Sequence, residues 1–206
     1  EDGRQTREVL KSKPFLDIKG AYKKWLLSTL GENGFRGQSP KIAIGSMGPT
    51  AVLIEEILQQ AGAKVIRLDI DPAKGGLPNL QENISHLATE ICGYNADLGA
   101  IIDPNGEELI LFDGSGCQIT STQQTVLWAQ IYWEANQGAK LVLPVTAPRI
   151  LGELAKRLGG RVERVKSHPG IYQENMHQVD GQVLWGQQHL QLDALAALLH
   201  ILDWLI

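Results

Sequence analysis

In "IIDPNGEELILFDGSG", residues 101–116, Asp103, Asn105 and Glu107 stand at alternate positions of a turn that follows an apolar run. Oxygen-bearing side chains spaced in this way suit a hard cation: magnesium takes a small number of carboxylates and fills its octahedron with waters and substrate oxygens. The structural alternative is a hairpin connection, because Pro104, Asn105 and Gly106 are residue types that a tight reversal needs. A calcium EF-hand is excluded, since the sixth loop position is Glu108 rather than Gly and the twelfth is Gly114 rather than Glu. A second grouping, Lys166, Ser167 and His168, offers a cation and a hydroxyl at the end of an expected strand. It is a weak anion site at most, because no third residue completes a Ser–His nucleophile. "GSMGPT" at 45–50 lies between a strand and a helix, where backbone N–H groups bind phosphates, but it lacks the Lys and the spacing of a Walker loop. Its expected role is a Gly-Pro turn that lets the helix start. His86, His177, His189 and His200 show no metal-ligand spacing, and the five tryptophans are expected in the core or at interfaces.

These residues need a scaffold, and the periodicity predicts an α/β one. Ile42 to Ile44 reads as a buried strand. A helix follows with Val52, Ile54, Ile57 and Leu58 inward, Gly62 stops it, and Val65, Ile66 and Leu68 open the next strand. The order recurs about one hundred residues later: strand Leu141 to Leu143, helix through Leu151, Leu154 and Leu158, stop at Gly159 and Gly160, strand at Val162 and Val165. Between the copies, "ADLGAIIDP" and "EELILFDGSG" read as a central strand and its antiparallel neighbour, and "QQTVLWAQIYWEAN" as a helix. The predicted architecture is two similar α/β/α domains, residues 1–116 and 117–206, each a mixed, mainly parallel sheet covered by helices. The opening 20 residues are expected to be an arm or linker. The closing "QLDALAALLHILDWLI" is a helix apolar on more than one side, expected to pack into the second domain or against something outside the chain.

Composition narrows the classes. The 206 residues are 43 % hydrophobic and 20 % charged with a formal net charge of -4, and Lys and Arg are scattered. Nucleic acid and anionic membrane are therefore not expected partners. No apolar run reaches the roughly 18 residues of a membrane span. Cys92 and Cys117 are too few and too far apart for a CxxC motif, so a reducing cytoplasm is expected. The chain opens on Glu1 and its only methionines are Met47 and Met176, so a portion of a longer polypeptide is expected.

From about Tyr22 onward the order of elements resembles the second and third domains of the α-D-phosphohexomutase family, the phosphoglucomutases and phosphomannomutases. Ala96-Asp97-Leu98-Gly99 precedes Asp103-Pro104-Asn105-Gly106-Glu107-Glu108 where that family has "ADLG" and then "D-P-D-A-D-R". Asp113-Gly114 matches its acidic-Gly turn, Arg164-Val165-Lys166-Ser167-His168 falls on "R-T-K-V-G", and "LDALAALLHILDWL" is similar to its closing helix. The resemblance implies a loop of three aspartates holding magnesium against a phosphoserine carried by a preceding domain, with the adjacent Arg at the phosphate.

The departures bear on that implication. Asn105 and Glu107 replace two aspartates, Glu108 replaces the Arg, and nothing like the sugar-selecting "GE.SG" lies between Met176 and Asp193. A carboxylate in place of a guanidinium turns an attraction for a phosphate dianion into a repulsion. The expectation is thus a vestigial metal loop at Asp103, Asn105 and Glu107, with no catalytic residue, no metal and no cofactor. What the resemblance implies is a catalytically silent domain pair of sugar-phosphate metabolism, of the kind found in bacterial mannose-1-phosphate guanylyltransferases. Its expected partners are the missing N-terminal domains, sugar phosphates and a second copy in a homo-oligomer. Two alternatives stand beside it: part of an active magnesium-dependent mutase, and an interaction module without a small ligand.

Overall fold

The computed structural model describes residues 17–30, 34–46, 49–69, 80–166 and 193–206. Helix α1 (Ile18–Ser28) starts at Asp17, whose carboxylate accepts the Gly20 N–H at 2.8 Å. Strand β1 (Lys41–Ser46), helix α2 (Pro49–Gln60) and strand β2 (Lys64–Asp69) follow. Then come α3 (Leu80–Tyr94), β3 (Leu98–Ile102), β4 (Leu109–Asp113) and β5 (Gln118–Ile119). These five strands form one sheet in the order β2-β1-β3-β4-β5, with β1 parallel to β2 and β3 and the last two strands antiparallel. The rest of the described chain is α4 (Ser121–Ala135), β6 (Lys140–Pro144), α5 (Ile150–Leu158), β7 (Arg161–Val165) and α6 (Ala194–Leu205), with β6 and β7 pairing in parallel.

Strand alternation sorts the side chains into two layers. Ala43, Ile101 and Phe112 meet Leu87 and Ile91 of α3 on one face. Ile42, Ile44, Ala100, Ile102 and Leu111 meet Leu26 of α1 and Ile54, Ile57 and Leu58 of α2 on the other. The architecture is the expected mixed sheet, mainly parallel in its centre, flanked by helices. Within α2 the buried stripe is Ile54, Ile57, Leu58 and Ala61 at helical spacing. Val52, expected inward, falls off that stripe and is 48 % exposed.

The closing helix departs from expectation. α6 does not pack into the β6–β7 unit: Leu195, Leu198, Leu199, Ile201 and Leu202 belong to the core of the five-stranded sheet, where the helix rests on β3 and β4 and against α4. A helix apolar on more than one side buries most surface between two neighbours, and the sheet on one side with α4 on the other provides them. Trp204 Nε1 donates to Glu134 Oε2 at 2.7 Å across the α4 contact. Residue 116 likewise does not end the first sheet, because it sits in the turn between β4 and β5 and β5 still pairs with β4.

α4 joins the two cores. Its start is fixed by a capping box of Thr120 and Gln123. Leu127, Trp128 and Ile131 face the first core, while Val126, Ala129, Tyr132 and Trp133 face a second made with Leu141, Leu143, Leu151 and Ala155. Trp133 is wholly buried there and its Nε1 donates to the Ala139 carbonyl at 3.1 Å. Gly160 lies against this ring: a Cβ at that position would stand 2.3 Å from Trp133 Cδ1 and Nε1. A rigid buried indole cannot yield, so Gly160→Ala is expected to lower stability by about 1–3 kcal/mol, read from the midpoint of urea unfolding. Among the described residues no helix is long and apolar enough to cross a membrane. Cys92 and Cys117 are exposed free thiols.

Candidate functional site

The chain leaves β1 through α2 to β2 on one side, then returns through α3 to β3 on the other side of β1. In a doubly wound sheet this reversal opens a crevice at the carboxyl ends of the two central strands, where ligands bind. Ser46 ends β1 and Ile102 ends β3, and the two are register partners. The loop singled out in the sequence, Asp103 to Glu108, therefore rises from the switch point.

Its internal bonding is specific. Asp103 Oδ1 accepts the N–H groups of Glu107 at 2.7 Å and Glu108 at 2.8 Å, and Oδ2 accepts that of Asn105 at 3.2 Å. The Asp103 carbonyl accepts the Gly106 N–H at 3.0 Å, and its own N–H donates to the Glu108 carbonyl at 3.2 Å. Gly106 has φ +76°, a conformation costly for other residues, which lets the turn close. The loop has the bonding of the second expected alternative, a hairpin connection built around the first of the would-be ligands. A carboxylate offers about four lone-pair sites, and three are directed at the chain's own amides. Asn105 and Glu107 are exposed, and among the described residues no group of three or more His, Cys, Asp or Glu is placed to hold a metal ion. The turn's own amides thus leave Asp103 about one lone-pair site for any further partner.

Two residues that sequence reasoning passed over complete the crevice. Tyr22 of α1 donates its hydroxyl to Asp193, with Oδ1 at 2.8 Å and Oδ2 at 3.0 Å, across 171 residues of sequence. Asp193 also caps α6, its Oδ1 accepting the Ala196 N–H at 2.9 Å. The next N–H, of Ala194, donates to the Gly106 carbonyl at 2.8 Å, so the loop is fastened to the start of α6. Burial, the hydrogen bond to Asp193 and the Asp193 charge all push the Tyr22 phenol well above its ordinary pKa. The one available sequence signal was an Asp directly before an apolar helical run, which is an N-cap pattern.

Between these parts lies a cavity of about 220 Å³. It is lined by the apolar Leu53, Ile54, Ile102 and Leu195 together with Tyr22, Thr50, Asn105, Gly106 and Asp193. Of the Gly-Pro turn at 45–50, Pro49 is the first residue of α2, a position that suits its missing N–H, and Thr50 Oγ1 donates to the Pro104 carbonyl at 3.4 Å. Ser46 is 2 % exposed and its hydroxyl has no hydrogen-bond partner among the described residues. Of the expected anion site, Lys166 follows β7 and is exposed, while Ser167 and His168 lie outside the described residues.

No family model matches the chain. It is 25 % identical over 135 residues to a phosphopentomutase of Thermococcus kodakarensis, an overlap covering 62 % of this chain and 30 % of the relative. It is also 25 % identical over 146 residues to a phosphomannomutase/phosphoglucomutase of Pseudomonas putida, covering 68 % of this chain and 31 % of the relative. The chain thus spans under a third of the length of these curated relatives. Among solved structures, its fold is similar to a phosphoglucomutase/phosphomannomutase family protein from Burkholderia thailandensis, with a TM-score of 0.73 at 17 % identity over 91 % of this chain and 43 % of that one. In sequence this chain is thus similar to part of proteins named phosphopentomutase and phosphomannomutase/phosphoglucomutase, and it shares the fold of a phosphoglucomutase/phosphomannomutase family protein.

Proposed function

We propose that this chain is a phosphohexomutase-type portion of a sugar-phosphate enzyme that carries no phosphoryl transfer of its own, its metal loop serving as a structural connection. The observation that supports this reading is the engagement of Asp103 by three backbone amides at 2.7, 2.8 and 3.2 Å, in a loop where Glu108 replaces the expected Arg. A cation bound there would compete with the loop's own closure, and a phosphate dianion would meet carboxylates. The mutase names of the curated relatives favour a mutase as the parent over the guanylyltransferase-type parent that the resemblance implied. The part left to this chain is then to shape and hold a site completed by other domains.

Calorimetric titration with magnesium chloride, alone and with glucose or mannose 1-phosphate, tests the reading. The expected result is no saturable metal binding below about millimolar concentration, whereas an octahedral site with several carboxylates would saturate. Asp103→Ala separates the two roles. It is expected to lower stability by about 1–3 kcal/mol, because three turn amides lose their acceptor, and to leave the magnesium titration unchanged. Submillimolar magnesium binding that disappears in Asp103→Ala would overturn the proposal in favour of an active mutase.

A further inference from the structure

We propose that the turn from β6 into α5, residues 145–150, is a docking surface for a second copy of this chain, anchored by Val145, Arg149 and Ile150 and met by Glu107 and Glu108 of that copy. The backbone of the turn is fixed. Nη1 of Arg164 donates to the carbonyls of Pro144, Val145 and Ala147, the last at 2.8 Å, and Nη2 donates to that of Pro148 at 3.1 Å. The Val145 N–H donates to the Val165 carbonyl at 2.9 Å. On this frame Val145 is 58 % exposed and Ile150 53 %. A single exposed apolar side chain is ordinary, but two on one fixed turn with an arginine between them have the composition of an interface centre.

Arg149 is an independent sign. It is the N-cap of α5, is exposed and makes no side-chain capping bond. A cation there opposes the positive end of the helix, where Ser, Thr, Asp or Asn is favoured. Lys156 and Arg157 in the last turn of α5 complement the helix dipole, so their presence is explained locally and that of Arg149 is not. A position that breaks a local rule without local compensation is where function is to be sought.

Charge complementarity names the occupant. Residues 75–139 contain no Lys or Arg and eight Asp or Glu, whereas residues 140–166 contain seven Lys or Arg and two Glu. Those two, Glu153 and Glu163, pair with Lys156 and Lys140. Among the described residues Arg149 and Lys166 have no carboxylate partner, and no carboxylate of 75–139 pairs with Lys or Arg. Asp103 and Asp113 spend their carboxylates on turn amides, but Glu107 and Glu108 are adjacent and exposed. A two-fold pairing of copies matches each excess with the other twice in one interface, while an unrelated acidic partner would leave the carboxylates unmatched.

Sedimentation velocity of the full chain, at concentrations up to about 200 µM, is the test. At about 50 mM salt the mass is expected to rise from 22.6 kDa toward twice that value, and at about 500 mM salt to return. Arg149→Glu and Glu108→Arg are each expected to weaken association about tenfold. Mixed together they should restore it, because the mixed dimer holds one reversed pair and one original pair. Ile150→Ser should weaken association at either salt concentration, and Lys156→Glu, at the far end of α5, should leave it as in the parent. Circular dichroism establishes that each variant is folded. The proposal fails if the full chain stays at 22.6 kDa throughout, if salt does not change its association, or if the mixed variants associate no better than either alone.

Discussion

Replacing Trp133 with alanine is expected to cost about 3–5 kcal/mol, the largest loss of any substitution considered. The indole is wholly buried, bonds the Ala139 carbonyl and fills the small core made by α4, α5 and β6. The damage should also be local. β6 and β7 pair only with each other among the described strands, and their core shares α4, but no buried side chain, with that of the five-stranded sheet. Hydrogen exchange read by mass spectrometry should show residues 140–144 and 161–165 losing protection while 41–46 and 98–102 keep theirs. Uniform loss across both sheets would mean that the two cores unfold as one unit.

The second large effect belongs to Asp193. Its carboxylate caps α6 and accepts the Tyr22 hydroxyl, so Asp193→Ala removes a helix cap and orphans a half-buried phenol, together about 2–3 kcal/mol. Asp193→Asn retains both bonds in neutral form and should cost less. The pair also predicts a pH dependence. Because the Tyr22 phenol is raised above its ordinary pKa of about 10, the unfolded chain releases this proton first as pH rises. The contribution of the pair is complete below about pH 10 and is lost progressively above it. Thermal midpoints measured from pH 8 to 11 should fall over the upper part of that range and fall less in Tyr22→Phe. An equal fall in both would remove Tyr22 as the cause.

Legibility in the sequence followed the range of the interactions. The units β1–α2–β2 and β6–α5–β7 were readable because short apolar runs, helical spacing and Gly stops are local signals. Helix α3 escaped, although Ile84, Leu87 and Ile91 lie at helical spacing, because the polar residues among them dilute the pattern. The loop at Asp103 was located but its bonding was not. Alternate spacing of oxygen-bearing residues is common to a metal site and a self-capped turn, and only backbone geometry shows which groups the carboxylate meets.

The sequence by itself determined the α/β class and the place of the acidic loop after a central strand, since each depends on residues within a few positions of one another. The tertiary structure alone decided that α6 returns to the first sheet, that Tyr22 meets Asp193 across 171 residues, and that a cavity opens where they meet the loop. Those outcomes depend on which apolar faces compete for the same buried surface. That competition is settled by the packing of the whole chain and leaves no mark at any one position.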